Sequence, residues 1–266
     1  VPADLVPSLA DARDDIPATY ADGCHLDQPS TTIPTCAYGD PSSSTTVVLL
    51  GDSHAAQWFP ALVSLAKQRG WRLVSLTKSA CTPDSVTLWN TTFHRAYTEC
   101  DTWREAAFAR IRDEHPALVI VSSGRASRLA GPDGEAPPDG NAALRAGLDA
   151  TLARLKPLAK AVALIADTPL FPIDPPECLS EHLGDVLACA EPRAKVTNAA
   201  WTRTEQQVAD GEGVSFVDPT SWACPSEPCP VVVGRYLVFS DRQHLSTPYV
   251  LALRARLEAA LPSPAG

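Results

Sequence analysis

Residues 47–54, Val-Val-Leu-Leu-Gly-Asp-Ser-His, narrow the fold more than any other stretch of this chain. Four consecutive branched aliphatic residues read as a strand buried on both faces, the habit of parallel sheets covered by helices. The run breaks at Gly51. From Ala55 the apolar positions Trp58, Phe59, Leu62, Leu65 and Ala66 recur at helical spacing. A strand that turns straight into a helix is the unit of α/β folds, which keep their sites at the carboxyl edge of the sheet. Ser53 stands at that turn. Its backbone N–H belongs to a helix start, where unpaired donors and the macrodipole favour an oxyanion. Ser53 is therefore a candidate nucleophile. The competing reading is a plain N-cap, a common role for serine there.

The same alternation continues down the chain. Trp71–Thr77, Leu118–Gly124, Ala161–Asp167 and Val214–Asp218 read as four more strands. Gly70 marks the end of the first helix. Further helices are expected from Phe93 to Glu114, from about Asn141 to Lys156, from Pro192 to near Gly211, and from a Ser246 cap to Ala260. Between them lie a loop with a glycosylation pattern at Asn90-Thr-Thr92 and a polar loop through Pro137-Pro138. A proline-rich loop from Pro169 to Cys189 and a hairpin around Gly234 follow. Five strands alternating with helices predict a three-layer α/β/α, flavodoxin-like fold on a mainly parallel sheet. Residues 1–46 show little periodicity. They read as an extended, disulfide-stapled arm or linker ahead of a catalytic domain of residues 47–266.

A chain of 266 residues, 45% apolar and 20% charged, has enough material for one globular domain of this kind. A net charge of −9 argues against nucleic acid as a partner. No apolar run approaches the ~18 residues that span a bilayer. The absence of methionine fits an excised domain or a mature secreted product, with any membrane segment upstream of Val1. The eight cysteines fall into neighbouring pairs: Cys24 and Cys36, Cys81 and Cys100, Cys178 and Cys189, Cys224 and Cys229. The even count and local pairing predict four disulfides, and with them an extracytoplasmic location. No Cys-x-x-Cys occurs and the cysteines are scattered, so no metal site is expected.

A nucleophilic serine needs a base, and the base needs an orienting acceptor. Phe239-Ser-Asp-Arg-Gln-His-Leu-Ser246 supplies both. Asp241 and His244 lie three residues apart just before the last helix, so one turn places carboxylate and imidazole on the same side. The competing reading is a capping turn with a surface histidine. His54 is expected to point away from the Ser53 hydroxyl and to line a pocket or pack in its helix. Asp52 is expected to order the turn, and Trp58 to pack. His25, His94, His115 and His182 lack a carboxylate at a telling spacing and read as structural or surface residues.

Gly51-Asp-Ser53 after a buried strand and Asp241-x-x-His244 before the last helix together resemble the SGNH, or GDSL-type, hydrolase superfamily. The fuller Gly51-Asp-Ser-His-Ala-Ala-Gln-Trp58 and Asp241-Arg-Gln-His-Leu-Ser246 are similar to one branch of it. That branch is the extracytoplasmic domain fused to the C-terminus of membrane-bound acyltransferase-3 proteins, which O-acylate bacterial surface glycans. The similarity runs from about Thr46 to Leu261, and the cysteine-bearing arm resembles the same branch.

The resemblance implies that Ser53 is the acyl-accepting nucleophile, His244 the general base and Asp241 the group that fixes its tautomer. It also implies that the Ser53 N–H is one oxyanion donor. The superfamily usually adds a glycine after the second strand and a Gly-x-Asn after the third. Here stand Lys78-Ser79-Ala80-Cys81 and Gly124-Arg125-Ala126, without the asparagine. Backbone amides near Ser79 or Gly124, or the Arg125 guanidinium, are the candidate replacements. His54 and Arg125 are candidate substrate-pocket residues. The implied partners are an acyl donor delivered by an upstream membrane domain and a carbohydrate acceptor, with no cofactor. The expected function is transfer of a short acyl group, foremost acetyl, to a carbohydrate hydroxyl. The alternatives are a secreted carbohydrate esterase using the same triad and a non-catalytic glycan-binding module. An enzyme with a histidine base loses activity below about pH 6.5 as the imidazole protonates.

Overall fold

In the computed structural model, which describes residues 1–125, 128–129 and 140–264, β3 (Thr46–Gly51) lies in the middle of a mostly parallel sheet. β4 (Arg72–Lys78) pairs with it on one side and β7 (Leu118–Ser122) on the other, both parallel. β9 (Ala161–Ile165) and β10 (Ser215–Val217) continue beyond β7. The five expected strands thus run β4-β3-β7-β9-β10, a doubly wound, flavodoxin-like order. The order reverses beside β3. The crevice at the carboxyl ends of β3 and β7 is therefore the topological switch point.

The sheet is wider than expected, with seven strands instead of five. After the single-turn α1 (Ala18–Ala21), the arm adds β1 (His25–Leu26), parallel to the far end of β4. It also adds β2 (Ala37–Gly39), antiparallel to the near end of β4. Strands of two and three residues have no period to read in a sequence. They form because the outer edge of β4 has unpaired donors and acceptors to offer.

Side-chain alternation along the strands divides the core in two. Val47, Leu49, Ile120 and Ile165 face a layer made by α3 (Phe59–Arg69), α10 (Thr247–Ala252) and α11 (Arg254–Ala260). Val48, Leu50, Val121 and Leu164 face α4 (Thr98–Glu114), α5 (Gly140–Leu155) and α8 (Ala199–Glu212). Because both faces are covered, the strands carry unbroken apolar runs rather than alternating ones.

Several boundaries differ from expectation. The helix expected from Phe93 begins at Thr98. Before it, β5 (Leu88–Asn90), β6 (Arg95–Ala96) and β8 (Arg128–Leu129) make a small antiparallel sheet. Asn90, the residue of the glycosylation pattern, is buried. Its carboxamide accepts the N–H groups of Thr92 and Phe93 and donates to Gln28, which leaves no exposed acceptor for a glycan. The proline-rich loop holds α6 (Pro175–Glu181), capped by Asp174. The helix expected from Pro192 splits into α7 (Arg193–Val196) and α8, with Asn198 capping the second. The last helix breaks at Leu253. The hairpin of β11 (Val232–Val233) and β12 (Tyr236–Leu237) stands as expected. The loop through Pro137-Pro138 lies outside the described residues.

The cysteines pair as the spacing predicts: Cys24–Cys36, Cys81–Cys100, Cys178–Cys189 and Cys224–Cys229, with none free. Among the described residues no helix is long and apolar enough to cross a membrane. Nor does any group of three or more His, Cys, Asp or Glu among them form a metal-holding cluster.

Candidate active site

β3 ends at Gly51 because nothing larger fits. A Cβ there would lie 1.8 Å from the Ser122 carbonyl oxygen of β7. Asp52 follows and caps α2 (Ser53–Ala56). Its carboxylate accepts the His54 N–H at 2.8 Å and the Gly124 N–H at 2.9 and 3.1 Å. Asp52 thereby fastens the turn after β3 to the turn after β7. Burial raises its pKa, against the pull of His54 and these backbone donors.

Ser53 opens α2, and His244 comes to it from the loop before α10. The Ser53 Oγ lies 2.9 Å from His244 Nε2, and His244 Nδ1 lies 2.7 Å from Asp241 Oδ2. The other Asp241 oxygen accepts the N–H groups of Gln243 and His244, both at 2.8 Å. Burial works to raise the Asp241 pKa, but the His244 hydrogen bond, its charge and the backbone donors hold it down to about 2. A carboxylate only accepts, so His244 Nδ1 is the protonated nitrogen and Nε2 is left to accept the Ser53 O–H.

The loop that carries His244 is held from below by Gln57, to which the sequence alone assigned no role. Its Oε1 accepts the Leu245 N–H at 2.8 Å, and its amide reaches Thr168 Oγ1 at 3.4 Å. Thr168 in turn donates to the Gln243 carbonyl. The one available signal was its place in the Gly51–Trp58 motif, one turn past the serine. Trp58 is fully buried and meets Trp222 edge-on.

The expected oxyanion donors fare differently. The Ser79 N–H goes to the Leu26 carbonyl at 2.8 Å, and its hydroxyl lies 3.0 Å from His25 Nε2. The Gly124 N–H is taken by Asp52, and the Arg125 N–H by Asp167 at 2.8 Å. The Arg125 guanidinium binds Asn141 and lies 4.4 Å over the Trp201 ring. Three of the four candidates are therefore engaged elsewhere, because the turns that carry them need those groups as internal ties. Ala126 lies outside the described residues. The cavity of about 170 Å³ beside Ser53 is lined instead by Ala80, Asn90, Gly124, Tyr97, Gln28 and His54. Ala80 takes φ 52°, a left-handed conformation that glycine adopts without strain. It occupies the loop after β4 where the superfamily's glycine was sought. Neither the Ser53 N–H nor the Ala80 N–H donates to a partner among the described residues.

His54 is buried, with its ring 4.9 Å from that of His244 and its Nδ1 2.6 Å from Asp167 Oδ1. Burial opposes its charge. The Asp167 carboxylate beside it and the charges of Asp52 and Asp241 outweigh that, and the pKa is raised to about 9. A second cavity of about 250 Å³ lies on its far side, between Asp167, Thr168, Asn198, Arg125 and Trp201. A third, of about 240 Å³, puts Arg13, Asp15 and Tyr20 of the arm around Ser53, Asp241 and His244. His25 bonds Thr77 and Ser79 and stacks on Tyr20, and burial lowers its pKa to about 3. His94, His115 and His182 are exposed, away from these cavities.

A Ser–His–Asp relay at the switch point of a three-layer α/β/α sheet is the arrangement of an SGNH-type fold. The chain belongs to the family described as the SGNH domain fused to AT3 domains, which it matches over residues 23–259. That match starts inside the arm, at the residue before Cys24. No protein of curated function matches the chain in sequence. Among solved structures, the periplasmic domain of a lipopolysaccharide acetyltransferase from Salmonella ser. Paratyphi A superposes with a TM-score of 0.64. It shares 17% identity, over 91% of this chain and 87% of that one. An acetylxylan esterase from Geobacillus stearothermophilus gives a TM-score of 0.48 at 15% identity, over 82% and 94% of the two chains. A GDSL-like lipase from Bacteroides thetaiotaomicron gives 0.42 at 15%, over 95% and 100%. At these identities the likeness is one of fold.

Proposed function

We propose that this chain is an extracytoplasmic O-acyltransferase domain that moves an acyl group, foremost acetyl, through an ester on Ser53 to a hydroxyl of a cell-surface glycan. The observation that carries this reading is the unbroken relay of 2.9 and 2.7 Å from Ser53 through His244 to Asp241. Membership of a family fused to AT3 domains supports an upstream membrane domain as the source of the acyl group. The four disulfides support the location.

In the first half-reaction Ser53 Oγ attacks the carbonyl carbon of the donor while His244 Nε2 takes the hydroxyl proton. The carbonyl π pair moves onto oxygen, where the Ser53 and Ala80 N–H groups receive it. Collapse expels the leaving group, which takes the proton from His244. In the second half a sugar hydroxyl attacks the acyl-serine, His244 removes its proton, and Ser53 leaves with that proton. Asp241 stays ionised and stabilises the imidazolium formed in each half.

Turnover of p-nitrophenyl acetate by the wild type, Ser53→Ala and His244→Ala tests the relay. Both variants are expected to lose at least about 10³-fold in kcat. Ser53→Ala turning over like the wild type sinks the reading. Adding free saccharides then separates transfer from hydrolysis: acetylated sugar marks a transferase, and acetate alone an esterase.

A further inference from the structure

The Ser53 cavity has one imidazole among its described lining residues, that of His54. Two features hold that imidazole in place. Asp167 grips Nδ1, and is itself fixed by the N–H groups of Arg125 at 2.8 Å and Thr168 at 2.7 Å. Elsewhere the ring packs against Gly124. A Cβ at that glycine would come within 2.5 Å of His54 Cδ2 and 2.7 Å of Nε2. The glycine is therefore required by the ring. Nε2 has no acceptor among the described residues, while the ring forms the wall shared by the Ser53 cavity and the Trp201 cavity. The one acidic side chain among the cavity's described lining residues, Asp52, accepts the backbone N–H groups of His54 and Gly124.

We propose that His54, clamped by Asp167, is a second catalytic histidine: its Nε2–H is a hydrogen-bond donor to the oxyanion formed at the carbonyl attacked by Ser53. The proposal rests on Ser53 being the nucleophile. In each half-reaction His244 moves the proton, and His54 keeps its own. When the carbonyl π pair moves onto oxygen, the His54 Nε2–H shortens its contact to that oxygen. When the pair returns and the leaving group departs, the contact relaxes. No bond to His54 forms or breaks. A charged donor in a site sheltered from water is the strongest kind available for a developing oxyanion. The groups facing His54 are Asp52, Asp167, Asp241 and His244, with Arg125 behind Asp167. With its pKa raised to about 9, the imidazole keeps its proton at neutral pH.

Diisopropyl fluorophosphate provides the test. Ser53 Oγ bonds to phosphorus as His244 Nε2 takes its proton, the P–F bond breaks and fluoride leaves, and the phosphoryl oxygen of the adduct stands where the oxyanion would. Peptide mass spectrometry of the wild type is expected to find the adduct on Ser53. Nitrogen-15 histidine spectra of that adduct are expected to show the His54 Nε2–H displaced to lower field than in the free protein. In variants that keep a cooperative melt, His54→Gln is expected to slow labelling by about 10²–10³-fold. The wild-type rate is expected to fall above about pH 9, and Asp167→Asn to move that fall to lower pH. An adduct on Ser53 with an unmoved His54 signal overturns the proposal alone, and this needs no variant. A folded His54→Gln labelling at the wild-type rate does the same. Failure of the wild type to label at Ser53 overturns both this proposal and the serine mechanism.

Discussion

Ala80 carries a side chain where its backbone favours none. Its φ of 52° places it in the left-handed region, which costs an L-residue about 1–2 kcal/mol and costs glycine nothing. We expect Ala80→Gly to keep activity and to gain about 0.5–1 kcal/mol in chemical denaturation, and Ala80→Val to lose stability and activity together. At this scale the clustering of Ser53, His244 and Asp241 was legible and its surroundings were not. Ser53 is marked by the strand that precedes it, and Asp241 and His244 by their spacing on one turn. These are local relations, which a sequence displays directly. The use of the Ser79, Gly124 and Arg125 amides as ties to Leu26, Asp52 and Asp167 depends on residues far away in the chain. So does the pairing of His54 with Asp167, which fixes a histidine expected to line a pocket or pack in its helix.

The arm shows what an element of little periodicity achieves by pairing. β1 and β2 take up the free edge of β4, and the Cys24–Cys36 bridge closes the stretch that contains β1. Lys78, at the end of β4, is buried and gives its ammonium to the carbonyls of Asp27, Gln28 and Ser30 at 2.6, 2.8 and 2.6 Å. It thus holds the arm's loop above the site, where Gln28 lines the Ser53 cavity. Lys78→Met keeps the bulk and leaves those carbonyls without a donor, a loss of about 2–4 kcal/mol. The expected outcome is a lower urea midpoint and a raised KM for p-nitrophenyl acetate. Unchanged values of both would show that the arm does not depend on this lysine. The five long strands were legible because two covered faces demand an apolar run. The short ones were not, because backbone pairing with an edge demands nothing of their side chains.

Across the whole molecule, the charged pairs at the site tie stability to pH. The folded pKa of His54 is about 9, above its ordinary value of ~6.5 in an unfolded chain. Its contribution is therefore complete below about pH 6.5 and is lost as pH rises through about 9. Asp241 works in the opposite direction: its pKa is held to about 2, so its contribution is present above ~3.9 and fades as pH falls toward 2. The melting temperature of the wild type is expected to fall more between about pH 7 and 9.5 than that of His54→Gln. Equal slopes would mean that the Asp167 pair carries no such charge. The sequence by itself determined the layer order, the four disulfides and the serine, histidine and aspartate at the sheet edge. Each of these follows from a short-range pattern: buried runs, neighbouring cysteines and motifs confined to one turn. Only the tertiary structure decided which donors remain for an oxyanion, which carboxylate each histidine pairs with and how the arm closes over the site. Those outcomes depend on burial and on partners that the crossovers bring together from distant parts of the chain.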